Sequence, residues 1–127
     1  MNYIKTFENY NLGREEFIEI INPLNGNSFV CKTKIDTETY TSNIDVELAK
    51  TLGLVPEENT KRVYNYLGDQ ELKVAKVDIV FSTGETKGRR VSTYVTIADR
   101  SKLDHPIAVG RKDIGSLNLL IDVNKSI

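Results

Sequence analysis

Residues 34–43 read KIDTETYTSN, and the fold turns on how they are read. Asp36 and Thr37 follow a short alternating strand, and Thr41 and Ser42 lead into a run with helical spacing. Upstream, EEFIEIINPLNGNSFVCKTKI (15–35) has the pattern of a β-hairpin. Phe17, Ile18, Ile20 and Ile21 supply the first strand, and Asn22-Pro23 stops it. Asn25-Gly26 is a pair that tolerates positive φ. Phe29, Cys31, Thr33 and Ile35 then fall on one face, with Val30, Lys32 and Lys34 on the other. The hairpin thus delivers Asp36-Thr37 to a turn.

Downstream, TSNIDVELAKTLGLVP (41–56) predicts one helix of two to three turns. Ser42 is the expected cap, with Asp45 three residues on as its capping-box partner. Ile44, Leu48 and Leu52 form an apolar stripe, Gly53 stops the helix and Pro56 bars its continuation. KRVYNYL and ELKVAKVDIVF predict a hairpin turning at Gly68-Asp69. STGETKG is a second turn. RRVSTYVTIAD is a further strand, with Val91, Thr93, Val95 and Ile97 on one face. The tail predicts a short buried strand at Ile107–Val109, a helical turn at Arg111–Ile114 and a closing strand at Leu119–Val123. Residues 1–14 carry Tyr3, Phe7 and Tyr10 near helical spacing and read as an N-terminal arm. Residues 15–127 read as one domain.

Bulk properties narrow the function. The chain has 127 residues, 39% hydrophobic and 28% charged, which suits one domain with a modest core. With 17 basic and 18 acidic residues the net charge is −1, so no global field favours nucleic acid. Cys31 is the only cysteine, which excludes an intrachain disulfide and reads as a small core residue. His105 is the only histidine and reads as a loop residue before Pro106. One His and one Cys cannot make a familiar zinc site. No G-x-x-x-x-G-K-[ST] phosphate loop is present, so no cofactor is expected. No apolar run reaches a membrane span and no signal-peptide core opens the chain, so a cytoplasmic location is expected.

The order of these parts resembles the retropepsin-like aspartic peptidase fold. More closely, it resembles the family labelled ATP-dependent zinc protease, found beside RimK-type ligases. That family pairs a K-x-D-T-G-A-x-T-S turn with a D-R-x-x-x-x-x-P-x-x-x-G-R segment and ends x-L-x-D-V. Here ADRSKLDHPIAVGRKDI (98–114) places Asp99, Arg100, Pro106, Gly110 and Arg111 at the matching positions, and LLIDVNKSI closes the chain. The resemblance spans residues 17–127. It implies a mainly β fold, a retropepsin-like closed β-barrel with one or two short helices. It also implies peptide-bond hydrolysis by a homodimer, in which Asp36 and its symmetry mate are the catalytic pair. Two carboxylates about 3 Å apart share one proton, one serving as base and the other as acid. Thr37 would hydrogen-bond across the two-fold. The hairpin at Leu67, Gly68 and Asp69 would be the flap over substrate, and the Ile107–Gly110 strand would pack beside the catalytic turn.

One position departs from the pattern. Glu38 stands where the family has glycine, whose missing side chain permits close approach and unusual dihedrals. In a dimer, two extra carboxylates would join the Asp36 pair. Two unit charges about 4 Å apart cost about 4 kcal/mol at an effective dielectric near 20. Glu38 is therefore expected to weaken or abolish hydrolysis. The alternative is a non-catalytic structural or binding module with this fold and protein partners in a larger assembly. The opening MNYIKTFENY resembles N-termini of tailed-phage proteins, which would make it a head, neck or tail component of a virion.

Overall fold

The computed structural model describes residues 15–65, 68–82 and 87–116, with backbone alone at 63–65. The expected arm at 1–14, the closing strand at 119–123 and Leu67 lie outside these residues. The described chain forms seven strands and two short helices. In order these are β1 (Glu15–Ile21), β2 (Ser28–Ile35), β3 (Asn43–Asp45), α1 (Val46–Thr51), β4 (Thr60–Asn65), β5 (Gly68–Phe81), β6 (Arg90–Ala98), β7 (Ile107–Val109) and α2 (residues 111–116).

Six strands close a barrel in the order β1-β2-β7-β3-β6-β5, with β5 pairing back to β1. Closure leaves these strands few free edges. The fourth strand, β4, pairs only with β5. The fold is therefore mainly β, a closed six-stranded barrel with two short helices, as the sequence implies at that level of description.

Local chemistry accounts for most elements. The β1–β2 hairpin turns at Gly26, whose φ of +77° suits glycine. The Asn22 side chain is buried and donates to the Leu52 carbonyl at 3.0 Å, and Asn25 Nδ2 donates to the same oxygen at 3.2 Å. The hairpin turn thus satisfies the carboxyl end of α1. Alternation along β6 buries Val91, Thr93 and Val95, and along β5 it buries Ala75, Val77, Ile79 and Phe81. Ile18, Ile20, Ile44, Ile107 and Val109 fill the rest of the barrel, and Leu48, Leu52 and Ile114 cover it from the helices. Burying each such side chain contributes about 2 kcal/mol.

Two local expectations are corrected. Ser42 does not cap a helix. The strand β3 intervenes, pairing parallel with β6 and antiparallel with β7, and Asp45 caps α1 by accepting the Glu47 N–H at 3.1 Å. The pull on Ser42 is tertiary, as described below. Nor do Gly68-Asp69 form the hairpin turn. Asn65 pairs with Gly68 and Tyr64 with Asp69, so Gly68 and Asp69 both belong to β5.

The strand β5 has two halves. Residues Val74–Val80 pair with β6 inside the barrel, whereas Gly68–Lys73 pair with β4 alone. The second half is a two-stranded ribbon leaving the barrel. Along it Asp69, Glu71 and Lys73 are exposed, while Gln70 and Leu72 are half-buried. Lys61 pairs with Leu72 and so shares that half-buried face. Its Nζ lies 5.7 Å from the centre of the Tyr40 ring, so this face looks toward the turn that follows β2.

Candidate functional site

Residues 36–42 leave the end of β2 and form a turn braced against β7 and α2. The Asp36 N–H donates to the Val109 carbonyl at 2.9 Å, continuing the parallel pairing of β2 with β7. Asp36 Oδ1 accepts the Glu38 N–H at 3.0 Å, closing a turn through the aspartate's own side chain. Asp36 Oδ2 lies 3.8 Å from Lys34 Nζ. The Asp36 side chain is 15% exposed, whereas Thr37 and Glu38 are exposed.

The carbonyls of the turn meet the amino end of α2. Thr39 O accepts the Arg111 N–H at 2.8 Å and Tyr40 O accepts the Lys112 N–H at 2.9 Å. Two donors that a helix start would leave unpaired are thereby satisfied. Arg111 Nη1 also donates to the Thr37 carbonyl at 3.1 Å, and its guanidinium lies 5.9 Å from the centre of the Tyr40 ring.

Behind the turn is a buried polar knot. The Ser42 hydroxyl donates to Asp113 Oδ2 at 2.5 Å and accepts the Gly110 N–H at 3.0 Å. Ser42 is 0% exposed and Asp113 3%. Gly110 packs so closely that a Cβ there would lie 2.7 Å from Thr41 C, Thr41 O and Tyr40 O. All three are backbone atoms and cannot swing aside. Glycine is required at 110 for this close approach. The sequence offers Gly110-Arg111 as a strand-to-helix turn, and the structure adds that the turn seats the Asp36 loop.

Glu38 sits differently from what its position in the family pattern suggests. Among the described residues no non-glycine residue has positive φ, so Glu38 adopts ordinary backbone. The residue that stands where the resembled pattern has glycine therefore carries no dihedral strain.

Of the sequence-derived site residues, Asp36 and Thr37 lie together on the braced turn. Gly68 and Asp69 lie on the ribbon. Asp69 is exposed and paired with Arg62 at 3.0 Å, and Leu67 lies outside the described residues. Sequence reasoning missed Ser42 as a structural anchor, and also Asp113, Tyr40 and Lys61. The Thr-Ser ending of the family turn pattern was the available signal for Ser42. Elsewhere, His105 bonds Glu15, tying the loop before β7 to the start of β1. Cys31 lies against the core, and burial pushes its thiol up to about 11, so it is protonated and unreactive near neutral pH.

Among the described residues, no three His, Cys, Asp or Glu side chains gather to hold a metal ion. The lone His105 is engaged with Glu15 and the lone Cys31 is a protonated thiol. These residues do not suit the zinc named in the label of the family that the sequence resembles. Among them, too, no helix is long and apolar enough to cross a membrane.

No protein-family model matches this chain, and no curated protein matches it. Among solved structures it is similar to the crystal structure of protein Lpg0085, of unknown function (DUF785), from Legionella pneumophila subsp. pneumophila str. Philadelphia 1. The TM-score is 0.55 at 14% identity, over 87% of this chain and 91% of that one. A likeness at that identity concerns the fold alone.

Proposed function

We propose that this chain is a retropepsin-like aspartic-peptidase domain, of the family labelled ATP-dependent zinc protease. It takes an extended peptide between the β4–β5 ribbon and the Asp36 turn, and hydrolyses it slowly as a homodimer. Hydrolysis by carboxylates needs one group to take a proton from water and another to give one to the departing amine. A single copy presents one carboxylate at this turn, Asp36. Two copies about a two-fold present two, which can share a proton. The observation that carries the reading is the bracing of the turn. Five hydrogen bonds, four donated by Gly110, Arg111 and Lys112 and one accepted by Asp113 from Ser42, hold residues 37–42 in place before any substrate arrives. Such preorganisation is what a catalytic turn requires. Glu38 slows the reaction by its bulk, which keeps the two turns from closing to a working pair.

The test is peptide cleavage followed against pH for the native chain, Asp36→Ala and Glu38→Gly. Assays run above the dimer dissociation constant of each protein. Slow native cleavage, lost in Asp36→Ala and raised at least tenfold in Glu38→Gly, is expected. Cleavage unchanged by Asp36→Ala, or absent from both native and Glu38→Gly proteins, would contradict the reading.

A second reading is a non-catalytic module docked in a larger assembly, a virion among them. Phe17 and Val30 favour it, at 45% and 59% exposure on the outer face of the β1–β2 hairpin. Exposed apolar side chains gathered on one face suit protein contact. Absence of cleavage in every protein above would select this reading.

A further inference from the structure

The turn carries charges that one copy does not match. Glu38 is exposed, and no cation lies within 4 Å of its carboxylate among the described residues. Among the described residues Arg111 likewise has no carboxylate within 4 Å, and its guanidinium is bonded to the carbonyl of Thr37. Arg111 is also held over Tyr40 and tied by its backbone to Thr39, so its position is set before any partner arrives. The turn further contains a buried hydroxyl, Thr39 Oγ1, without a hydrogen-bond partner among the described residues. Among the described residues, the turn thus presents at its surface one exposed anion and one exposed cation, neither in an ion pair.

From this we infer that Glu38 and Arg111 pair between copies: Glu38 of one protomer meets Arg111 of its partner, twice, about the two-fold through the Asp36 turns. The inference rests on the homodimer reading above. A two-fold contact is self-complementary, so a surface bearing one free anion and one free cation can satisfy both by meeting itself. Charge balance supports it. Each copy brings Asp36 and Glu38, and each also brings Lys34, 3.8 Å from Asp36, and Arg111. The four carboxylates that an Asp-Thr-Glu turn gathers at the axis therefore meet four cations. Complementary charge of this kind selects the partner and fixes its register. Glu38 then acts as a dimer contact that replaces close packing of the turns, which explains how the glycine can be lost without losing association.

Sedimentation of single variants and of their mixture tests this. Glu38→Arg alone sets arginine against Arg111 at both contacts, and Arg111→Glu alone sets glutamate against Glu38. Each variant is expected to dimerise at least tenfold more weakly than the native chain. Mixed in equal amounts, the two should form a heterodimer within about threefold of native affinity, because both contacts then join opposite charges. Only pairing between copies gives that rescue. The milder Glu38→Gln and Arg111→Gln, each expected to weaken the dimer, guard against misfolding of a reversed variant. A native dimer unaffected by either glutamine substitution would overturn the ion pair and leave the homodimer standing. Reversed variants that stay folded and monomeric when mixed would do the same. A native chain that stays monomeric at every concentration would overturn both.

Discussion

The two walls of the candidate cleft are built by opposite means. The floor, residues 36–42, is anchored through the backbone of Asp36, Thr37, Thr39 and Tyr40 and through the Ser42 hydroxyl. Its Ser42 anchors are buried, and its partners lie about 70 positions away in sequence, as between Ser42 and Asp113. The roof, the ribbon of β4 and Gly68–Lys73, is held by its own backbone pairing and by exposed contacts. Its Arg62–Asp69 pair has side chains 70% and 50% exposed. The same contrast runs along β5 itself. Asp78, in the barrel half, has a side chain 13% exposed and bonds Ser92 at 2.6 Å and Arg90 at 2.7 Å. Asp69, in the ribbon half, faces water. On the proposed reading, a fixed floor under a lightly held roof would let substrate enter without disturbing Asp36.

Substitutions should separate the two walls. The largest effect is expected from Gly110→Ala, which drives a methyl against three backbone atoms of the floor. A loss of about 3 kcal/mol is expected in urea unfolding, since overpacking a fixed core is costly. Ser42→Ala comes next. It removes the hydroxyl that joins Gly110 to Asp113 and leaves both buried groups short of a partner, which costs about 2 kcal/mol. Thermal unfolding of Ser42→Ala, Asp113→Asn and the double variant should give strongly non-additive losses.

Asp78 gives a smaller, pH-dependent effect. The Ser92 hydroxyl first, and the Arg90 guanidinium next, hold its carboxyl below the usual carboxylate range. Its contribution to stability is therefore present above the ordinary value of about 3.9 and is lost as pH falls through the lowered one. Melting temperature followed into acid should fall less steeply for Asp78→Asn than for the native chain. Smallest of all, Arg62→Ala should change global stability by no more than about 0.5 kcal/mol, because its partner is exposed and solvent screens the pair. A large loss there would mean that the roof is as firmly built as the floor.

Much of the barrel can be read from local pattern. Asn25-Gly26 marks the first hairpin, alternation from Val91 to Ile97 marks β6, and Ile107–Val109 reads as a buried strand because all three residues are apolar. The strand β3 is not readable in this way. Three residues are too few to show a period, and Ser42 ahead of an apolar stripe imitates a helix cap. Its actual partners, Asp113 and Gly110, lie too far along the chain for any local signal. The site divides likewise. Asp36-Thr37 and Gly110-Arg111 stand out as motifs. The facing of Tyr40 by Lys61 and Arg111 depends on where the ribbon leaves the barrel, which no spacing reveals. Glu38 looks like a strained intruder in sequence, yet it occupies unstrained backbone.

The central claim is that the Asp36 turn is half of a site, completed by a second copy. Mixing native chain with Asp36→Ala chain at constant total concentration tests it most directly, with residual peptide cleavage as the readout. If both carboxylates are needed, activity falls as the square of the native fraction, to about a quarter in an equal mixture of freely exchanging copies. A linear fall to one half would place a complete active site within each protomer and contradict the account.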